Sequence, residues 1–135
     1  MKWKVGLGVL AVALVAVVAF VFFGGYRTQR FDHLNAQDID RVDFWFCTGE
    51  MVTVTEPDEV EQVIDLLQSL KLKPWFGNGK AGVLCHVEFY NEAGEMGRVY
   101  YGAGQIIEGD RVYNMDRDYG DEFRALFYEL KASNP

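Results

Sequence analysis

The sequence predicts an α+β protein in which an N-terminal transmembrane helix precedes a small domain with a mainly antiparallel sheet and two helices. Three observations predict this class. A run of 19 residues from Val5 to Phe23 contains no charge and no proline. After position 38, alternating and helical apolar patterns follow in the order strand, strand, helix, strands, helix. The chain has 135 residues, which is enough for one ordinary domain and too few for two.

The apolar run is the basis of the transmembrane prediction. As a helix it extends about 28 Å, close to the roughly 30 Å hydrocarbon core of a bilayer. Trp3 and Tyr26 flank it, as aromatic residues do at membrane interfaces, and Lys2 and Lys4 precede it. A cleaved secretory signal is the alternative, but phenylalanine occupies the position where its cleavage site needs a small residue. We therefore expect a single-pass cell-membrane protein with its N-terminus inside and its C-terminal domain outside.

The first thirty residues differ in charge from the rest of the chain. The whole chain has a formal net charge of −7, whereas the part from Phe31 onward holds nine basic and twenty acidic residues, a net charge of −11. A domain with this negative net charge repels nucleic acid, so we expect no nucleic-acid partner. The expected partners are the membrane, through the N-terminal helix, and another membrane or envelope protein. The predicted divisions are an anchor with flanks (1–27), a juxtamembrane linker (28–38) and an extracytoplasmic α+β domain (39–135).

A hairpin and a helix begin the domain. Residues Arg41 to Cys47 alternate apolar and polar side chains, and Met51 to Thr55 repeat the pattern after a turn. Thr55 is then a suitable N-cap, because Asp58 follows three residues later and a proline lies in the first turn. Apolar residues at three- and four-residue steps predict a helix with one buried stripe, formed by Val60, Val63, Ile64, Leu67 and Leu70.

A four-strand meander is predicted from Val83 to Asn114, and its first register can be argued. A five-residue loop from Asn91 to Glu95, in which Gly94 can adopt a left-handed conformation, places Val87 opposite Val99 and, in the same register, Glu88 opposite Arg98. An apolar pair on one face and an ion pair on the other support this alignment together. Two-residue turns are predicted at Gly102-Ala103, which pairs Val99 with Ile106, and at Gly109-Asp110, which pairs Ile106 with Tyr113.

The last helix begins after an acidic turn. Asp118 is a suitable N-cap with Asp121 three residues later, and the apolar stripe that should contact the sheet is Phe123, Leu126, Phe127 and Leu130. Counted from Asp116, the turn resembles half of a calcium-binding loop, but Phe127 stands where the bidentate glutamate is needed. Helix capping accounts for the same acids, so we expect no metal site.

The glycine-rich segment Gly77 to Gly82 matches the dinucleotide-binding pattern G-x-G-x-x-G, but its context excludes that reading. A strand must precede this motif and a helix must follow it, whereas here a helix precedes and a strand follows. We therefore expect no nucleotide and no other cofactor.

Two cysteines, Cys47 and Cys85, leave two alternatives. A bridge between them would close a loop in the chain and contribute roughly 4 kcal/mol in the chain-entropy model. Alternatively, both are free thiols, and Cys85 is an ordinary core residue. A cysteine nucleophile needs a histidine within reach, yet His33 lies in the linker and His86 points to the face opposite Cys85. No catalytic residue is therefore assigned.

The second face of the meander is the candidate binding site. Two helices usually cover one face of a sheet, and the uncovered face would expose aromatic and aliphatic side chains. It comprises His86, Glu88, Tyr90, Arg98, Tyr100, Ile107 and Val112. The alternative is that the N-terminal hairpin or the Trp75 loop folds over it.

The function predicted from these features is a non-enzymatic, membrane-anchored extracytoplasmic accessory or interaction module. The alternative is an envelope enzyme or metal-dependent hydrolase that uses His86, Glu88 and the acidic turn near Asp116. A concave pocket around His86 and Glu88 would favour the enzyme, and a flat, open face would favour the interaction module.

Overall fold

The computed structural model describes residues 2–23, 31–77 and 82–135. Its helices are α1 (Lys2–Phe23), α2 (Pro57–Ser69) and α3 (Gly120–Ser133), and a short 3₁₀ turn lies at Ala36–Asp38. Its strands are β1 (Arg41–Phe46), β2 (Met51–Val54), β3 (Leu72–Trp75), β4 (Cys85–Asn91), β5 (Gly94–Gly102), β6 (Gln105–Glu108) and β7 (Arg111–Met115). They form one sheet in the order β2-β1-β4-β5-β6-β7-β3, and every neighbouring pair is antiparallel.

The transmembrane prediction is wrong. Within the described residues, no helix has both the length and the apolar character needed to cross a membrane. The cell-membrane location and the orientation depended on the predicted transmembrane span and are wrong with it. The fold class is corrected to three helices and a seven-stranded antiparallel sheet.

Some sequence predictions fall outside the described residues. Residues 24–30 include the end of the predicted anchor and the beginning of the predicted linker, and residues 78–81 form the middle of the glycine-rich segment. The division into 1–27, 28–38 and 39–135 stays a prediction.

The hydrophobic core lies between one face of the sheet, here called the inner face, and the helices α2 and α3. Phe127 on α3 contacts Phe44 and Phe46 on β1, with ring centroids 5.3 and 5.0 Å apart. Tyr101 on β5 stacks on Phe123 at 4.4 Å. The stripe predicted on α2 is buried, as expected from its helical spacing, at Val60, Val63, Ile64 and Leu67. Full burial of an aliphatic or aromatic side chain contributes about 1.5–3 kcal/mol, so these contacts hold both helices on the inner face.

The register predicted for β4 and β5 is confirmed. Val87 lies opposite Val99, and Glu88 lies opposite Arg98. A bulge shifts the register after Phe89, so the connecting loop is shorter than predicted. Gly94 has a φ of +118°, which a glycine adopts at little cost.

The turn between β5 and β6 differs from the prediction by one position. Gly102 pairs with Gln105, so the turn residues are Ala103 and Gly104, both with positive φ. Ile106 consequently lies opposite Tyr101 instead of Val99. Because the shift in pairing amounts to two residues, each side chain stays on its predicted face. The next turn is as predicted, with Ile106 opposite Tyr113.

Strand β3 was not predicted, because lysine and proline at positions 73 and 74 are unfavourable inside a strand. It pairs with β7 along Leu72–Trp75 and forms one edge of the sheet. Proline is tolerated in an edge strand where its nitrogen faces away from the neighbour. With β3 in place, the hairpin and the meander belong to one continuous sheet.

Phe31 and its turn belong to the same core. Phe31 is 1% exposed, although it lies in the predicted linker. The side-chain amide of Gln68 on α2 donates to the carbonyl oxygens of Phe31 and Leu34, at 3.2 and 3.1 Å. These two bonds attach the turn 31–34 to α2.

Candidate functional site

The face of the sheet opposite α2 and α3, here called the outer face, carries a continuous row of large side chains. Strand register places one residue from each of the seven strands in this row, which we call the cross-sheet row. Its members, in sheet order, are Met51, Trp45, His86, Tyr100, Ile107, Val112 and Trp75. Six strand spacings of about 4.8 Å make it about 29 Å long.

The row is exposed most at its two ends and partly exposed between them. Met51 is 42% exposed and Trp75 is 45% exposed, while the five residues between them are partly buried by their neighbours. The ring of His86 stacks on Trp45, with centroids 5.8 Å apart and an interplanar angle of 16°, and contacts Tyr100 at 5.1 Å. Aromatic packing across three adjacent strands therefore stiffens the middle of the row.

A polar row lies beside the cross-sheet row, two residues further along the strands. Register places its members in the order Thr53, Asp43, Glu88 and Arg98. The hydroxyl of Thr53 donates to Asp43 at 2.9 Å. Arg98 lies 4.0 Å from Glu88 and binds Glu95 through two nitrogens, at 2.5 and 3.0 Å. The hydrogen bonds from Arg98 hold the pKa of Glu95 below its usual value.

Glu88 is the centre of the polar contacts on this face. Its Oε1 lies 3.1 Å from Nε2 of His86, and its Oε2 accepts the hydroxyl hydrogen of Tyr90 at 2.5 Å. That hydrogen bond is the main reason why the pKa of Tyr90 is raised. The guanidinium of Arg41 lies over the Tyr90 ring, 4.1 Å from its centroid. Both oxygens of the Glu88 carboxylate are thus engaged by neighbours on the same face.

One end of the outer face is covered by the chain itself. A Cβ at Gly102 would collide with the carbonyl oxygen of Gly82, so the segment before β4 crosses the face there. Gln105, which pairs with Gly102, is 1% exposed and donates its amide to Asn114 at 2.8 Å. Of the loop from Trp75 to Gly82, only Gly82 is seen against this end of the face, so the expectation that the loop folds over the face stays a prediction. The predicted N-terminal hairpin does not fold over the face, because β1 and β2 lie within the sheet.

All seven residues predicted for the binding face lie on the outer face. Four of them, His86, Tyr100, Ile107 and Val112, belong to the cross-sheet row. Sequence reasoning missed its other members, Trp45, Met51 and Trp75. The alternation in Arg41 to Cys47 indicates that Trp45 lies on the face opposite the buried residues of β1. Strand β4, which pairs with β1, lies far away in sequence, so the sequence alone does not show that the two strands are neighbours.

The two cysteines are free thiols. Cys47 is exposed at the end of β1, and Cys85 is buried on the inner face. Burial, assisted by the nearby Cys47, raises the pKa of the Cys85 thiol to about 12. Cys85 is therefore an unreactive core residue, and Cys47 is the accessible thiol.

The residues proposed for the alternative enzyme lie apart from a cavity that the described residues form beside the sheet. A cavity of about 140 Å³ lies where β4 ends and β5 begins, and its lining includes Phe31, Leu34, Phe89 and Met96. His86 and Glu88 do not line this cavity. The acidic turn serves the start of α3, because Asp118 accepts the Gly120 N–H at 2.8 Å and Asp116 accepts the Tyr119 hydroxyl at 2.6 Å. Over the described residues, no group of three or more His, Cys, Asp or Glu is placed to hold a metal ion.

Comparisons of this chain with protein-family models, with curated proteins and with solved structures find no match.

Proposed function

We propose that this chain is a non-enzymatic binding module that contacts a protein partner through the outer face of its sheet. The observation that carries the proposal is the cross-sheet row, in which every strand contributes one residue to a line of aromatic and aliphatic side chains. Contiguous apolar surface bordered by polar residues is typical of protein interaction sites. The row and the adjacent polar row have this arrangement.

The composition of the face supports a protein as the partner. Protein interfaces are enriched in Trp, Tyr, Met and Arg, and their rims are polar. The outer face presents Trp45, Tyr100 and Met51 in the row, with Arg98 and Glu88 beside them. The aromatic rings contact one another across the strands, so little side-chain entropy remains to be lost when a partner binds.

The geometry supports an enzyme less well. The His86 and Glu88 side chains contact each other on a sheet surface, and neither lines the 140 Å³ cavity. The acidic turn is occupied with the start of α3. A site on the surface of the sheet and outside that cavity gives a substrate little protection from water.

Site-directed crosslinking from the outer face tests the proposal. A photoreactive amino acid replaces Ile107 in one variant and Tyr128 in another, because Tyr128 is 43% exposed on α3 and provides the matched control. Crosslinks to one partner protein from position 107 and not from position 128 are the expected result. Equal crosslinking from both positions, or from position 128 alone, would refute a specific site on the outer face.

A substitution then measures the contribution of the row to binding. Tyr100→Ala removes an aromatic ring near the middle of the face, and such rings commonly contribute 2 kcal/mol or more when they anchor an interface, which is about a thirtyfold change in Kd. Tyr128→Ala should leave the Kd of the crosslinked partner within about twofold. The proposal fails if the two variants bind equally well while both remain folded by circular dichroism.

A further inference from the structure

The two edges of the sheet differ in their ability to pair with another strand. Strand β3 contains Pro74, which has no N–H to donate. The Asp116 N–H donates to the Lys71 carbonyl, so by antiparallel alternation Lys73 and Trp75 bond to β7, and Pro74 faces the outside. A proline in this position blocks the addition of a strand. Edge β3 is therefore protected.

Strand β2 has no such protection. The Phe46 N–H donates to the Glu50 carbonyl at 2.9 Å, so alternation assigns the bonds to β1 to Val52 and Val54. The N–H and C=O groups of Met51 and Thr53 consequently point away from the sheet. Among the described residues, no other backbone group bonds to them. Val52 and Val54 are 2% and 0% exposed, so the core holds this open edge in place.

We infer that the β2 edge binds an extended segment of a partner protein, which adds to the sheet as an eighth strand and carries basic residues at the end nearest α2. Strand addition of this kind draws its affinity from main-chain hydrogen bonds and its specificity from alternate side chains. The exposed side chains of β2 are those of Met51 and Thr53, which carry no charge and suit an alternating Val/Thr-type segment.

Charge identifies the occupant. Glu56 and Asp58 directly follow β2, are exposed, and make no ion pair with any described residue. Glu50, at the opposite end, is already paired with Lys131. The free acids therefore attract a segment with lysine or arginine at the α2 end. A second copy of this chain fits poorly, because it would bring its own Glu56 and Asp58 and the chain has a net charge of −7.

The inference goes beyond the proposed function, because it rests on the outward main-chain groups of β2, although the side chains of Met51 and Thr53 also belong to the two rows of the outer face. Hydrogen exchange on the full chain tests it. The probe is a short synthetic peptide that alternates valine and threonine and ends in lysines. Slower exchange at the amides of Met51 and Thr53 on addition of the peptide is expected. Unchanged exchange at both amides at high peptide concentration would overturn the inference.

Two other outcomes also overturn it, and each identifies a different surface. Protection of Met51 and Thr53 without peptide, rising with protein concentration together with the mass in light scattering, would assign the edge to a second copy. Peptide-induced protection confined to the strands around Tyr100 would remove the edge site while leaving the outer face as a binding surface.

Variants of peptide and protein separate backbone pairing from charge. A peptide with N-methyl groups on alternate residues should bind at least about tenfold more weakly, because it lacks the donors that pair with β2. Thr53→Pro should have a similar effect, whereas Thr53→Val keeps the N–H and should bind within about twofold of the original chain. Equal affinity for both peptides would exclude strand addition without relying on the folding of the proline variant.

The contribution of charge is tested with a variant that combines Glu56→Gln and Asp58→Asn. This variant should bind the lysine peptide about threefold more weakly, and the same peptide with serine in place of lysine should not distinguish it from the original chain. An unchanged affinity for the lysine peptide would overturn the assignment of a basic segment.

Discussion

Tyr101 donates its hydroxyl hydrogen to Oδ1 of Asp118, so a central strand is bonded directly to the turn that begins α3. The same carboxylate accepts the Gly120 N–H, and the Tyr119 N–H donates to the Tyr101 hydroxyl at 3.0 Å. The bond from Tyr101, followed by that from Gly120, holds the pKa of Asp118 below its usual value. Burial, followed by the bond to Asp118, raises the pKa of Tyr101. The helix start thus favours a charged Asp118 and a neutral Tyr101.

Replacing Asp118 should destabilise the protein in a pH-dependent way. Asp118→Ala removes an acceptor at the start of α3, and loss of such a cap costs about 1 kcal/mol. Because the folded-state pKa lies below the unfolded value of about 3.9, the carboxylate stabilises the fold above that value, and its contribution is lost as the pH falls through the folded pKa. Urea denaturation at neutral pH and in acid measures both effects. Asp121→Ala, exposed in the same turn, is the control, and an equal loss for Asp118→Ala in strong acid and at neutral pH would contradict this account.

Adjacent tyrosines on β5 should respond differently to truncation. Tyr101 is 3% exposed and stacks on Phe123, so Tyr101→Ala should cost about 3–5 kcal/mol. Tyr100 lies on the partly exposed outer face, so Tyr100→Ala should cost about 1 kcal/mol, as a point substitution does on average. Chemical denaturation of the two variants provides the comparison. A loss for Tyr100→Ala as large as that for Tyr101→Ala would mean that the outer face is covered.

The two thiols should differ in reactivity. At mildly alkaline pH, iodoacetamide should modify Cys47 in the folded protein, while Cys85 should react only after denaturation, because its pKa is raised to about 12 and it is buried. Mass spectrometry of the native and denatured protein counts the adducts. If neither cysteine reacts until a reductant is added, the two are bridged, contrary to the structure.

The turn 31–34 should contribute to stability through both packing and hydrogen bonds. Phe31→Ala should cost about 3–5 kcal/mol, as expected for a buried aromatic ring. Gln68→Ala removes both bonds to the turn and should cost about 1–2 kcal/mol. Gln62→Ala, on the exposed side of the same helix, should change stability by less than about 0.5 kcal/mol. If Gln68→Ala matched Gln62→Ala, the turn would not be held by these bonds.

Local pattern predicted the parts of the sheet that depend on nearby residues. The pairing of Val87 with Val99 and of Glu88 with Arg98 followed from one loop and two side-chain pairs. The apolar stripes of α2 and α3 followed from helical spacing, although Glu56 is the residue that precedes α2, in place of Thr55, and α3 begins at Gly120. These features involve contacts between residues close together in the chain.

Features set by distant contacts were missed. Gly102 was assigned to a turn, but it stays in β5 where Gly82 passes close to its backbone. Strand β3 forms because it can pair with the free edge of β7, about 40 residues later in the chain. Propensity rules do not predict it, because proline is uncommon in strands. The cross-sheet row was only partly predicted, because its members Trp45 and Trp75 join the meander through sheet order alone.

Pro74 also limits how many molecules a sheet of this kind can recruit. Open-ended growth of a fibre by edge-to-edge pairing requires that every added molecule present a fresh, competent edge. Here the β2 edge has outward N–H groups at Met51 and Thr53, whereas β3 has a proline at an outward position, so a copy of this chain that paired at β2 would leave only its blocked β3 edge on the far side. Strand pairing among copies of this chain therefore stops at two molecules, which protects the chain from polymerisation while one edge stays open.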